Sequence, residues 1–234
     1  INYNWYMAKC FNDIGAILRR KNRYVEALKY YQKALNVNYK IGDKVGVSNN
    51  LGNIGILYST QGNYIKALEY YEKSLKINDE QKDTLGRTIN LMSMAVVYTS
   101  QKKFPKALEY YQSSLRNFIK MDHKVGVAVS FTNLGLLNFR LNNYQLAIEC
   151  FLKSLKINEE LNRESGIAIN LGNIGLVYKK QGNFLKAIEF YQKSKSINEK
   201  IGEKYTDLIH LNDSGAEYDS HRDLHESIGD GYIF

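Results

Sequence analysis

The sequence predicts an all-α solenoid of antiparallel helix pairs, and three observations carry the prediction. The 234 residues include a single proline, too few breaks for a strand-and-turn architecture. Small and aromatic residues recur every 40 positions in four registers. Within each 40-residue unit the apolar residues fall at three- and four-residue steps, the period of a helix face. A hydrophobic fraction of 44% is ample for a folded core, so disorder is not expected.

Gly15, Gly55, Gly135 and Gly175 share one register, with Ala95 in the third slot and Gly215 opening a sixth. Ala27, Ala67, Ala107, Ala147 and Ala187 form a second. Tyr24, Tyr64, Phe104, Tyr144 and Phe184 form a third, and Tyr31, Tyr71, Tyr111, Phe151 and Tyr191 a fourth. Four coincident registers make repeats of one structural unit.

In one unit Leu51, Ile54, Gly55 and Tyr58 share a helix face, and Tyr64, Ala67, Leu68, Tyr71 and Leu75 share another after a break. The break is Gln61-Gly62-Asn63, repeated as Gln181-Gly182-Asn183, where Gly and Asn allow the left-handed backbone that ends a helix. Pro105 stands at the start of a second helix, where a missing amide donor costs least. Gly42-Asp43, Asp122-His123 and Gly202-Glu203 read as a helix stop followed by an N-cap between units. First helices are therefore expected near 3–21, 44–61, 84–101, 124–141, 164–181 and 204–220, and second helices near 24–40, 64–80, 104–120, 144–161 and 184–201. The repeats are 4–43, 44–83, 84–123, 124–163 and 164–203, with the first helix of a degenerate sixth over 204–220 and an acidic second helix or tail over 221–234. Gly55 and Ala67 are small because two helices approach closely there, with Tyr71 beside them.

These residues resemble the tetratricopeptide repeat (TPR) family, which pairs Leu, Gly and Tyr on a first helix with Tyr, Ala and Tyr or Phe on a second. The resemblance covers roughly residues 10–218. The long period and the missing proline after the second helix resemble the branch seen in kinesin light chains, spindle-orientation adaptors and bacterial peptide sensors. The resemblance implies a right-handed superhelix whose first helices line a concave groove for peptides or partner helices.

Two rows on the first helices are then candidate groove residues. The polar row is Asp13, Asn53, Ser93, Asn133, Asn173 and Asp213. Family members with Asn in this register hold an extended peptide backbone with its amide, which donates and accepts at once. The apolar row is Ala16, Ile56, Val96, Leu136, Leu176 and Ala216, and together the rows would hold an extended or amphipathic ligand. Arg19, Arg20, Arg140, Lys179 and Lys180 near the helix ends would select acidic groups. The structural alternative for either row is amides bonded to neighbouring helices and apolar residues partly in the core. The family's clamp for a terminal carboxylate is disfavoured, because its positions hold Lys9, Asp13, Asn53, Ile89 and Ser93, and Asp13 would repel a carboxylate. The spindle adaptors carry Asn where this chain has Ile56, Leu136 and Leu176, so their ligand set is not carried over.

The formal charge of +8 is uneven, with −5 on residues 211–234 and +13 on residues 1–210. Such a body attracts acidic partners, which keeps a basic nucleic-acid-binding solenoid as the rival reading, beside an architectural subunit of a larger assembly. Nucleic acid is disfavoured because Lys66, Lys73, Lys76, Lys153 and Lys156 alternate with Glu69 and Glu72, the pattern of a solvated face. An acidic end facing a basic body also suggests self-association through the C-terminal segment. His221-Arg222-Asp223-Leu224 lacks the rest of a kinase catalytic loop. His221 and His225 share a helix spacing but read as surface residues, so neither a metal nor a cofactor is expected. With no triad, no phosphate loop and no paired carboxylates outside the repeat, the chain reads as a non-enzymatic adaptor or scaffold. Cys10 and Cys150 read as free thiols, which suit a reducing, cytoplasmic setting. No apolar run is long enough for a membrane span. The sequence begins at Ile1 rather than Met, which leaves a processed or excised piece as one expectation.

Overall fold

The computed structural model describes the backbone of residues 2–213 and the side chains of residues 3–202. They form ten α-helices: α1 (Asn2–Arg20), α2 (Tyr24–Ile41), α3 (Lys44–Thr60), α4 (Tyr64–Gln81), α5 (Thr84–Ser100), α6 (Phe104–Lys120), α7 (Lys124–Arg140), α8 (Tyr144–Glu160), α9 (Glu164–Lys180) and α10 (Phe184–Asp213). No strand is present among the described residues. The odd-numbered helices are the first helices of successive pairs, so the chain is an all-α TPR-type solenoid of five pairs with a partial unit beyond. It divides into two compact units, Ile1–Asn117 and Phe118–Phe234.

Every helix-to-helix turn passes through one left-handed residue. Asn22, Gly62, Lys102, Asn142 and Gly182 take it inside the pairs, and Gly42, Lys82, Asp122 and Asn162 between them. The next residue starts the following helix. Asp43 accepts the Gly46 N–H at 2.9 Å, Asp83 accepts the Gly86 N–H at 2.9 Å, and His123 uses Nδ1 for the Gly126 N–H at 2.9 Å. These caps satisfy amide donors that the first turn leaves unpaired.

The small residue of each first helix exists for an aromatic ring. A Cβ on Gly55 would lie 2.6 Å from the Tyr71 ring, and one on Gly135 would lie 2.5 Å from the Phe151 ring. In the first unit Leu18, Ala27, Tyr31, Ile54 and Leu57 form one buried cluster. In the second, Ala147, Phe151, Ile174 and Val177 form its counterpart. Within the units α2, α4 and α8 are each packed between their own first helix and the next one, as stacking repeats require.

The last junction departs from the sequence expectation. A stop was expected at Gly202-Glu203, yet α10 runs without a break from Phe184 to Asp213. Gly202 does not adopt the left-handed backbone of Gly42, and Glu203 is not one of the short acceptors that cap a helix start. Residues 214–220 of the expected 204–220 helix, including Gly215 and Ala216, and the whole of 221–234 with His221 and His225, lie outside the described residues.

Candidate functional site

The apolar row separates cleanly from the core. Leu57, Val97, Leu137 and Val177 are 0–1% exposed, whereas the residues just before them, Ile56, Val96, Leu136 and Leu176, are only half-buried, as is Ala16. The fold therefore uses the second residue of each pair for packing and leaves the first at the surface of its helix.

The polar row divides by unit. In the first unit Asn53 is half-buried and its Nδ2 donates to Asn12 Oδ1 at 2.7 Å. That same oxygen accepts from Asn50 Nδ2 at 2.9 Å, and Asn50 Oδ1 accepts from Asn38 Nδ2 at 2.7 Å. Ser93 donates back to the Ile89 carbonyl at 3.0 Å, and Asp13 is half-buried. In the second unit Asn133 and Asn173 are 7% and 5% exposed. The buried Nδ2 of Asn173 has no hydrogen-bond acceptor among the described residues. An unmade donor of this kind costs about 1–3 kcal/mol, which an incoming carbonyl would relieve.

The basic candidates stand at the C-terminal ends of their helices. Arg19 is half-buried, whereas Arg140, Lys179 and Lys180 are exposed. Asp213 has no described side chain. Other lysines lie over aromatic rings: Lys66 Nζ is 5.2 Å from the Tyr58 centroid, Lys73 5.1 Å from Tyr70, Lys106 4.4 Å from Tyr98 and Lys186 5.1 Å from Tyr178. These cations occupy ring faces on which a nucleic-acid base would stack.

Sequence reasoning missed a buried polar ladder that ties neighbouring repeats together. Asn90 Nδ2 donates to Ser74 Oγ of the preceding repeat at 2.7 Å, and within that repeat Ser48 Oγ donates to Asn78 Oδ1. In the second unit Asn170 Nδ2 donates to Ser154 Oγ at 3.0 Å and Thr132 Oγ1 to Asn170 Oδ1 at 3.1 Å. Its signal was a fifth register, Ser74, Ser114, Ser154 and Ser194, hidden because it is polar. A sixth was equally available in Gly46, Gly86, Gly126 and Gly166, whose missing side chains make room for Asn38, Asn78, Phe118 and Asn158.

Among the described residues no group of three or more His, Cys, Asp or Glu side chains gathers as a metal site would. No helix among them is long and apolar enough to cross a membrane. Cys10 is exposed and Cys150 half-buried, and neither is in a disulfide.

The repeat geometry agrees with an independent match. Family models described as tetratricopeptide repeat match residues 6–80 and 87–160, and a further one matches 169–201. The chain belongs to the tetratricopeptide repeat family. Repeats of this family are generally interaction modules rather than catalysts. No curated protein matches this repeat protein, but solved structures share its fold. BtubC (BKLC) from P. vanneervenii aligns with a TM-score of 0.68 at 21% identity, over 94% of this chain and 86% of that one. A Rap protein complexed with Competence and Sporulation Factor aligns with a TM-score of 0.73 at 19% identity, over 83% of this chain and 54% of that one. NprR in complex with its cognate peptide NprX aligns with a TM-score of 0.70 at 18% identity, over 91% of this chain and 62% of that one. The repeat protein thus spans just over half the length of the Rap protein and of NprR, its relatives in fold.

Proposed function

We propose that this chain is a non-enzymatic module that holds an extended peptide or a partner helix along its first helices, acting as an adaptor or scaffold. The observation that carries the reading is the apolar row, Ile56, Val96, Leu136 and Leu176, left half-buried beside fully buried core neighbours. An apolar strip flanked by amides offers burial and backbone hydrogen bonds together, the two terms that extended ligands use. The cognate peptide named in the complex with NprR, and the factor named in the complex with the Rap protein, add support by analogy of fold. The nucleic-acid alternative draws less support, because lysines of the second helices already cover the ring faces of Tyr58, Tyr70 and Tyr98.

The test is a random peptide library panned on the wild-type chain and on an Asn53, Asn133, Asn173 triple Ala variant, at low and high salt. Peptides retained by wild type at high salt and lost by the variant support the reading. Binding confined to low salt, with single-stranded oligonucleotides captured better than any peptide, transfers it to the nucleic-acid alternative. No ligand of either kind leaves the architectural role as the better account.

A further inference from the structure

We propose that α1 is the interface of a two-fold dimer, in which its exposed apolar stripe packs antiparallel against the same stripe of a second copy. Tyr3, Tyr6, Cys10, Ile14 and Ile17 are all exposed, and their spacing keeps them within an arc of about 80° on one helix face. Tyr6 is 58%, Ile14 37% and Ile17 47% exposed. None of the exposed positions from Tyr3 to Ile17 is charged, whereas those of α4 include Lys66, Glu69, Glu72, Lys73 and Lys76. A helix face turned to water carries such charges, and a contiguous apolar one marks a contact.

The stripe occupies the register that other first helices bury against the preceding second helix. Ile54 and Leu57 on α3, and Ile174 and Val177 on α9, hold the places of Ile14 and Ile17 and are packed on Ala27 and Tyr31 or on Ala147 and Phe151. That register also requires a glycine one turn before the amide position. A Cβ on Gly46 would lie 2.6 Å from Asn38 Nδ2, and one on Gly166 would lie 2.6 Å from Asn158 Cγ. On α1 the same place holds Tyr6. A phenol ring has no room beside a second helix of this kind, which excludes another repeat of the same type as the occupant. It equally excludes α10 of another copy, which carries Asn198 in the register of Asn38 and Asn158.

A second α1 fits where those helices do not, because the stripe is a palindrome about Cys10. Tyr6 and Ile14 stand four residues to either side of it, and Tyr3 and Ile17 seven. Two copies laid antiparallel with Cys10 opposite Cys10 set Tyr6 against the partner's Ile14 and Tyr3 against the partner's Ile17. Each contact then occurs twice, as a two-fold interface requires. Every pair joins an aromatic ring to a β-branched side chain, and the small Cys10 stands at the centre, where two helix axes come closest.

Sedimentation equilibrium of the full chain, from about 1 to about 300 µM, tests the pairing. Wild type is expected to pass from monomer to dimer and to stop there, because a two-fold contact closes on itself. Tyr6→Glu and Ile14→Lys are each expected to raise the dissociation constant at least about tenfold. Circular dichroism melts establish that both variants fold, as substitutions at exposed sites require. An equimolar mixture of the two is expected to recover the dimer, since the introduced carboxylate then faces the introduced ammonium while the second pair keeps its wild-type side chains. Tyr3→Glu with Ile17→Lys repeats the exchange if either first variant unfolds. Iodoacetamide labelling of Cys10, fast in dilute protein, is expected to slow as the dimer forms. A wild type that stays monomeric throughout overturns the inference, as does a dimer that both variants keep or a mixture that stays monomeric. Species that keep growing with concentration overturn it too, because they mark head-to-tail stacking on α10.

Discussion

The two units are built alike and furnished differently. Tyr31 and Tyr71 in the first and Phe151 in the second occupy the same register, each 1% exposed. Their first-helix surfaces diverge. Asn53 in the first unit is tied into an amide chain through Asn12, Asn50 and Asn38, and the residues one turn beyond the apolar row on α3 and α5 are Thr60 and Ser100. In the second unit Asn173 is left unpaired, and the equivalent positions are Arg140 and Lys180. Packing is thus the common property of the repeat, while binding chemistry varies where packing makes no demand.

The strongest test of the shared scaffold is aromatic truncation. Tyr71→Ala and Phe151→Ala are each expected to cost about 3–5 kcal/mol in urea unfolding. A cost confined to one unit would break the equivalence. A sharper test separates the amides by sign. Asn173→Leu is expected to stabilise by about 1 kcal/mol, because it removes a buried donor that has no acceptor. Asn53→Leu is expected to destabilise by about 1 kcal/mol, because it breaks a bond to Asn12. Equal signs in thermal melts would show that the two amides do the same work.

Smaller effects lie at the turns. Lys82 and Lys102 hold φ of 55° and 59°, a backbone that costs a residue with a Cβ roughly 1 kcal/mol. Lys82→Gly and Lys102→Gly in the first unit should each stabilise by up to that amount. Asn142→Gly and Asn162→Gly in the second should gain less, since Asn tolerates the conformation. The least perturbing comparison uses the cysteines. Burial pushes the Cys150 thiol above its ordinary value, partly offset by Lys153, while Cys10 is exposed. Iodoacetamide at pH 8 should label Cys10 first and reach Cys150 at a similar rate only in urea. The buried thiol's contribution to stability is complete below the ordinary cysteine pKa of about 8.5 and fades as pH rises through the higher folded value. Equal labelling rates in the native protein would show that the second unit opens there.

The sequence made the scaffold legible because packing repeats as a pattern of apolar and small residues. Nine of the expected helices end within a residue or two of their observed bounds, and Gly62, Gly182 and Asp43 marked their turns in advance. The uninterrupted α10 was not legible, because Gly202 permits a stop without imposing one. The site was legible only as rows. Whether Asn53 or Asn173 has a partner depends on residues up to 41 positions away, and no local period records that pairing. The polar ladder was hidden for a different reason: it does recur every 40 residues, but Ser154 and Asn170 look like surface residues until neighbouring repeats enclose them.

The junction residues limit how the array can be shortened. Asn38, Asn78 and Asn158 each meet a glycine at the start of the next unit, but at the third junction Phe118 meets Gly126, with Ser130 where the other units have Asn50, Asn90 and Asn170. Excising residues 44–83 would join Asn38 to Gly86 and Asn90, an amide on an amide as before. Excising residues 124–163 would press Phe118 against Asn170, a ring on a group that needs hydrogen bonds. The chain is periodic in length but not in grammar, and a loss of one whole repeat is tolerable only where the two cut ends speak the same chemistry.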